Sequence, residues 1–180
     1  ACYGIPLSQI TFLVTFNFGL QLLVDLISPS FIDKIGYRAS MIIAHACASV
    51  GLIGLAFLPG LMPSPLMGLM ASVIIYAIGG GLLEVLVSPI VEACPTDNKE
   101  SAMSLLHSFY CWGHVGVVLL STIFFQIFGI QNWKIMAILW ALVPLFNLLV
   151  FCEVPIAPLL AEDEKGLTLL ELLKNKLFWI

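Results

Sequence analysis

Charge is what this chain has least of. Only 10% of its 180 residues are Asp, Glu, Lys or Arg, whereas 61% are hydrophobic. A water-soluble domain is ordinarily about half apolar and a quarter charged. So few charges cannot cover a folded body of this size in polar surface, and the solvent that remains is lipid. The net charge of −4 leaves no basic footprint, which argues against nucleic acid as a partner. Cysteine is sparse and unpatterned. Cys2, Cys47, Cys94, Cys111 and Cys152 follow no C-x-x-C or zinc-finger spacing and read as small apolar core residues. No nucleophile, base and orienting residue converge, so neither an enzyme nor a cofactor is expected.

What the chain does have is five apolar runs, at about 10–32, 39–58, 66–91, 103–128 and 135–152. At a rise of about 1.5 Å per residue, each is long enough to cross roughly 30 Å of hydrocarbon as a helix. The breaks carry turn chemistry, as in Pro59-Gly60, Pro63-Ser-Pro65 and Pro95-Thr-Asp-Asn98. Links this short predict antiparallel neighbours. Lys34, Arg38, Lys99, Lys165, Lys174 and Lys176 follow the first, third and fifth runs, and Lys134 alone lies on the other side. The positive-inside bias therefore predicts that those three segments are cytoplasmic. After the fifth run, Thr168 and Glu171 stand at capping-box spacing ahead of Lys174 and Lys176. That pattern suits a short amphipathic cytoplasmic helix, or a solvated acidic run before it. A new apolar run begins at Leu177, and the chain is expected to be an internal fragment of a longer protein.

Polar residues inside the runs fall on faces. Asn17, Gln21 and Asp25 recur every four residues on the first. Tyr76, Gly80, Glu84, Ser88 and Glu92 do the same on the third, and His107, Cys111 and His114 fall at i, i+4, i+7 on the fourth. Three such stripes are expected to wall one water-accessible cavity. The second and fifth runs are poorer in polar groups and are expected to face lipid. Each stripe also has a plain structural alternative. Asn17 and Gln21 suit interhelical hydrogen bonds worth about 1 kcal/mol or less. Asp25 suits pairing with a cation at the cytoplasmic end. His45, among Ala44, Ala46, Ala48, Gly51 and Gly54, reads as a satisfied packing residue. The His107, Cys111 and His114 trio lacks the further ligands and support that a metal needs, so no metal site is expected.

Glu84 stands apart. An ionised carboxylate at mid-bilayer costs on the order of 3 kcal/mol on insertion scales, and such groups persist on substrate or ion paths. Gly79-Gly-Gly81 precedes it and Pro89 follows, a combination that loosens a helix or admits a close neighbour or ligand.

The segment Pro29-Ser-Phe-Ile-Asp33-Lys34-Ile-Gly36-Tyr-Arg38 resembles the G-x-L-a-D-R-x-G-R-R loop between helices two and three of the major facilitator superfamily. Asp33, Lys34, Gly36 and Arg38 match, and Pro29 and Tyr37 depart from it. In that register the five runs are helices two to six of twelve. The fold class implied is an all-α membrane bundle over residues 1–156 lacking its first helix. A cytoplasmic linker follows over 157–176, and helix seven begins at 177–180. More narrowly, Gly79-Gly-Gly-Leu-Leu-Glu84-Val-Leu-Val-Ser88-Pro89 is similar to the G-x-G-x-x-E-T-x-x-N-P segment of the fucose/galactose/glucose–proton symporters. Val85 and Ser88 replace that family's Thr and Asn. Leu106-His107-Ser-Phe109…Gly113 is similar to the start of its helix five.

The resemblance implies proton-coupled uptake of a sugar or similar small polar metabolite by alternating access. Glu84 would be the coupling group, with Asn17, Gln21, Tyr76, Ser88, His107 and His114 beside it. The coupling ion would be a proton, or sodium. Asp25, Asp33, Lys34, Gly36 and Arg38 would form a conformational switch whose charge pairs hold helix ends in one state. The partners implied are a small-molecule substrate, the lipid bilayer of the plasma or inner membrane, and the rest of the same polypeptide. A proton-antiport exporter of drugs or metabolites, and a receptor that keeps the fold without transporting, are the competing expectations.

Overall fold

A computed structural model describes residues 3–157 and Lys174 of the chain. The amphipathic helix expected near 168–176 and the helix start at 177–180 otherwise lie outside the described residues. The described part is helical: α1 (Leu7–Ile27), α2 (Pro29–Ile35), α3 (Tyr37–Leu61), α4 (Pro65–Ala93), α5 (Lys99–Phe128), a 3₁₀ turn (Ile130–Asn132) and α6 (Trp133–Glu153). Five stretches, Leu7–Ile27, Tyr37–Leu61, Pro65–Ala93, Lys99–Phe128 and Ile130–Glu153, are long and apolar enough to cross a membrane. Their outer surfaces are apolar, with Phe146 66% and Trp112 72% exposed. A surface so extensively apolar is stable against lipid tails, not against water.

The first apolar run is interrupted where the sequence reading had it continuous to 32. Pro29 has no amide hydrogen to donate to the carbonyl four residues back. That carbonyl, of Asp25, accepts instead from the Ser28 hydroxyl at 3.3 Å. The chain then forms α2 and turns at Gly36, whose φ of 91° lies where side-chain-bearing residues are strained. Asn98 caps α5 by accepting from the Ser101 amide at 3.0 Å.

Helix α4 lies at the centre, against α3 on one side and α1 on another, and α3 packs α6 on its far side. Glycine makes the α3–α4 approach possible. A Cβ on Gly51 would stand 2.5 Å from the Tyr76 backbone nitrogen, one on Gly68 2.5 Å from the Leu58 carbonyl, and one on Gly79 2.6 Å from the Ala44 carbonyl. Numbering falls along α4 as it rises along α3, so the two run antiparallel. On the other side, Gly80 meets Gln21 and Gly81 meets Val24, so α1 and α4 run parallel. A core of Ile32, Met41, Ala44, Leu82 and Leu86 ties α2, α3 and α4 together.

One expectation is overturned here. The second run, read as lipid-facing, is α3, and nine of its residues are buried, from Ser40 to Pro59. No residue of α5 is buried, although it carries a polar stripe. The reason is that lipid is as apolar as a leucine-lined interface, so polarity does not mark the packed face of a membrane helix. Small residues do, because they let backbones close up. His45 sits in that interface, 4% exposed, with Nδ1 2.8 Å from the Met41 carbonyl and its ring 5.2 Å from that of Phe151.

Candidate functional site

The Gly79–Gly81 run serves two neighbours at once. Gly79 admits α3, while Gly80 and Gly81 admit α1, and α4 continues unbroken through all three. Gln21 lies over Gly80, and a Cβ there would be 2.5 Å from its Nε2. One turn further along these parallel helices, Asp25 comes level with Glu84.

A cavity of about 700 Å³ opens between α1, α4 and α5. From α1 it takes Asn17, Gln21 and Asp25, from α4 Glu84 and Ser88, and from α5 His107, Tyr110 and His114. Phe18, Leu22, Leu83, Val87 and Leu106 supply the apolar remainder of its wall. Its size falls within the roughly 300–1,000 Å³ of small-molecule sites. No Lys or Arg is among the lining residues.

The cavity brings together six of the seven residues expected to contact substrate or carry its proton. Tyr76 is the one left out; it lies against Gly51 on the α3 side. A stripe at i+4 is not straight. Successive residues turn by about 100°, so each step of four drifts about 40°, and Tyr76 stands about 80° round from Glu84. Asn17 is buried, and its Nδ2 donates to Gln21 Oε1 at 3.4 Å within α1 rather than to another helix. Asp25 lines the cavity, and its Oδ1 is buried without a hydrogen-bond partner among the described residues. The sequence placed it with the switch loop; residue spacing alone carried the signal that it shares a face with Asn17 and Gln21. Tyr110 was not singled out. Its ring packs 4.7 Å from that of His114, whose Nδ1 lies 3.3 Å from the Tyr110 carbonyl. The i, i+4 spacing of an aromatic and a histidine was available as a signal.

The remaining loop residues lie elsewhere. Asp33 and Lys34 are exposed on α2, away from the cavity, and Gly36 makes the turn. Arg38 at the start of α3 donates from Nη1 to the Cys152 carbonyl at 3.0 Å and from Nη2 to the Val154 carbonyl at 2.9 Å. Those are orphan acceptors at the C-terminal end of α6. The guanidinium thus caps a helix within this bundle. No group of three His, Cys, Asp or Glu among the described residues could hold a metal ion.

Five membrane-length helices, three of which line one cavity, define a multi-pass integral membrane protein. The family model of the Major Facilitator Superfamily matches residues 2–180. The chain therefore belongs to that superfamily, whose members are secondary transporters of small molecules in lipid bilayers. Comparison with curated proteins and with solved structures finds no match.

Proposed function

We propose that this chain is part of a proton-coupled importer of a sugar or similarly small polar metabolite, with Glu84 carrying the coupling proton. The observation that supports the reading best is the position of Glu84. It stands in the middle of an unbroken apolar helix and opens onto the 700 Å³ cavity with no lysine or arginine on its wall. A carboxyl that exchanges a proton with a cavity changes from acceptor to donor. It therefore binds the hydroxyls of a substrate differently in its two forms, and that difference links the two binding events. Asn17, Gln21, Ser88, His107 and His114 supply neutral or titratable hydrogen-bonding groups to a polyhydroxylated ligand. The likeness of the Glu84 segment to the fucose/galactose/glucose–proton symporters points the same way. Arg38 and Gly36 would set the cytoplasmic helix ends that shift as two bundles rock about a midplane site.

The test is proton uptake by proteoliposomes carrying the complete protein, wild type and Glu84→Gln, on addition of hexoses. Alkalinisation of the medium in the wild type, absent from the variant, is the expected result. Hexose uptake that follows a sodium gradient instead would replace the coupling ion. No hexose response at all would refute the sugar reading and favour export by proton antiport.

A further inference from the structure

We propose that Asn17 is a specificity-determining residue whose side-chain oxygen reads one hydroxyl group of the substrate as a hydrogen-bond donor. The inference rests on the reading above, which puts a sugar or similarly small polar metabolite in the cavity.

Asn17 stands on α1 one turn before Gln21, and both line the cavity. The close approach at Gly80 holds this pair from the α4 side, because a Cβ there would be 2.5 Å from Gln21 Nε2. Gln21 Oε1 takes up the donor end of the Asn17 amide, at 3.4 Å. The acceptor end, Oδ1, is buried without a hydrogen-bond partner among the described residues, in a residue only 9% exposed. Described residues alone shield this oxygen, so a helix added to the outside of the bundle does not reach it. What answers it enters by way of the cavity that Asn17 lines. The 3.4 Å contact is long for an N–H···O bond, and χ2 of asparagine is a soft torsion. A small swing of the amide therefore presents Oδ1 to that space.

A buried acceptor left unpaired is costly, and a bound donor relieves that cost. The amide oxygen is uncharged, so a neutral O–H answers it and no positive charge is called for. An ether oxygen, a carbonyl or a fluorine at the same place sets a second acceptor against the first. Asn17 thus separates a hydroxyl-bearing ligand from an analogue of the same shape that lacks one O–H.

The probe is whichever of D-glucose, D-galactose and L-fucose binds the complete purified protein most tightly, together with its monodeoxy and monodeoxyfluoro analogues. At one hydroxyl position, wild type should lose about tenfold in affinity for the deoxy analogue, the worth of one hydrogen bond, and as much for the fluoro analogue. Asn17→Leu should bind the parent hexose and those two analogues equally. Comparing ligands on one variant removes any general effect of the substitution on the fold. Ligand-free Asn17→Leu should unfold at or above the wild-type midpoint, since an apolar side chain of similar size replaces an unpaired polar one. Asn17→Ala is the second variant and should repeat the ligand pattern whatever its stability. An unaltered pattern of discrimination in both variants would overturn the inference. So would the lack of any position in wild type at which fluorine costs as much as hydrogen. A lowered midpoint in Asn17→Leu would show that Oδ1 already has a partner in the free protein, and would overturn it too. Any of these results beside hexose-driven proton uptake overturns this inference alone. If none of the three hexoses binds, the sugar reading falls with it.

Discussion

Replacing Gly79 with alanine should drive α3 and α4 apart, and the size of the effect follows from two distances. The new Cβ would lie 2.6 Å from both the Ala44 carbonyl oxygen and the Ala48 amide nitrogen. An ordinary contact is about 3.5–4.0 Å, so the helices must separate locally by about an ångström. Both obstructing atoms are backbone, and no rotamer change relieves them. Overpacking of this kind costs about 1–3 kcal/mol. Alanine's better helix propensity offsets up to about 1 kcal/mol of that. A net loss of up to about 2 kcal/mol is expected. The internal comparison is Gly116→Ala on α5, where a Cβ meets no described atom within 4 Å. There the propensity term acts alone, and a gain of up to about 1 kcal/mol is expected. The assay is reversible unfolding in mixed detergent micelles, followed by the far-ultraviolet helix signal. A Gly79→Ala protein that gains the full propensity increment of about 1 kcal/mol, as expected at Gly116, would refute the close-approach account of this interface. A loss at Gly116 would reveal a further segment seated on α5.

Three further outcomes follow from local contacts. Gly36→Ala places a side chain at φ 91°, ψ 148°, and should cost about 1–3 kcal/mol in the same unfolding assay, whereas an unchanged midpoint would show that the turn relaxes. Arg38→Lys loses the two-pronged donation to Cys152 and Val154 and should speed amide hydrogen exchange at the end of α6, with a stability loss of about 1 kcal/mol. Exchange unchanged there would show that the cap contributes nothing. Ser121→Ala removes the acceptor for Trp140 Nε1, 3.0 Å away between α5 and α6. Interhelical bonds of this type average about 0.6 kcal/mol in membranes, so a small loss with a shifted tryptophan emission is expected, and an unshifted spectrum would count against the bond.

The contrast between α3 and α5 shows where residue patterns stop being informative. Lys34 and Arg38 beside a glycine, Glu84 in an apolar helix, and runs long enough to span a bilayer are local properties, legible residue by residue. Lipid removes the usual link between hydrophobicity and burial. Polarity therefore sorted the helices into cavity-facing and lipid-facing groups, and misplaced α3. Its alanines and glycines held the better signal, because close approach depends on side-chain size rather than on polarity. Gly79 to Gly81 read equally well as a loosened helix or as a docking surface. Only the positions of α1 and α3 decide for docking, with one glycine turned to one neighbour and two to the other.

By itself the sequence determined the number of the membrane spans, the all-helical class, and the residues that carry polar chemistry inside them. Span length, turn residues and the cost of a carboxylate in hydrocarbon act along the chain and need no partner. The tertiary structure decided which polar residues meet. Rotation of about 100° per residue turns Tyr76 away toward Gly51 while Glu84 opens on the cavity. The register between two parallel helices, set where glycines let them touch, brings Asp25 level with Glu84. Relative register between helices is a property of their packed interface, and no pattern within either helix encodes it.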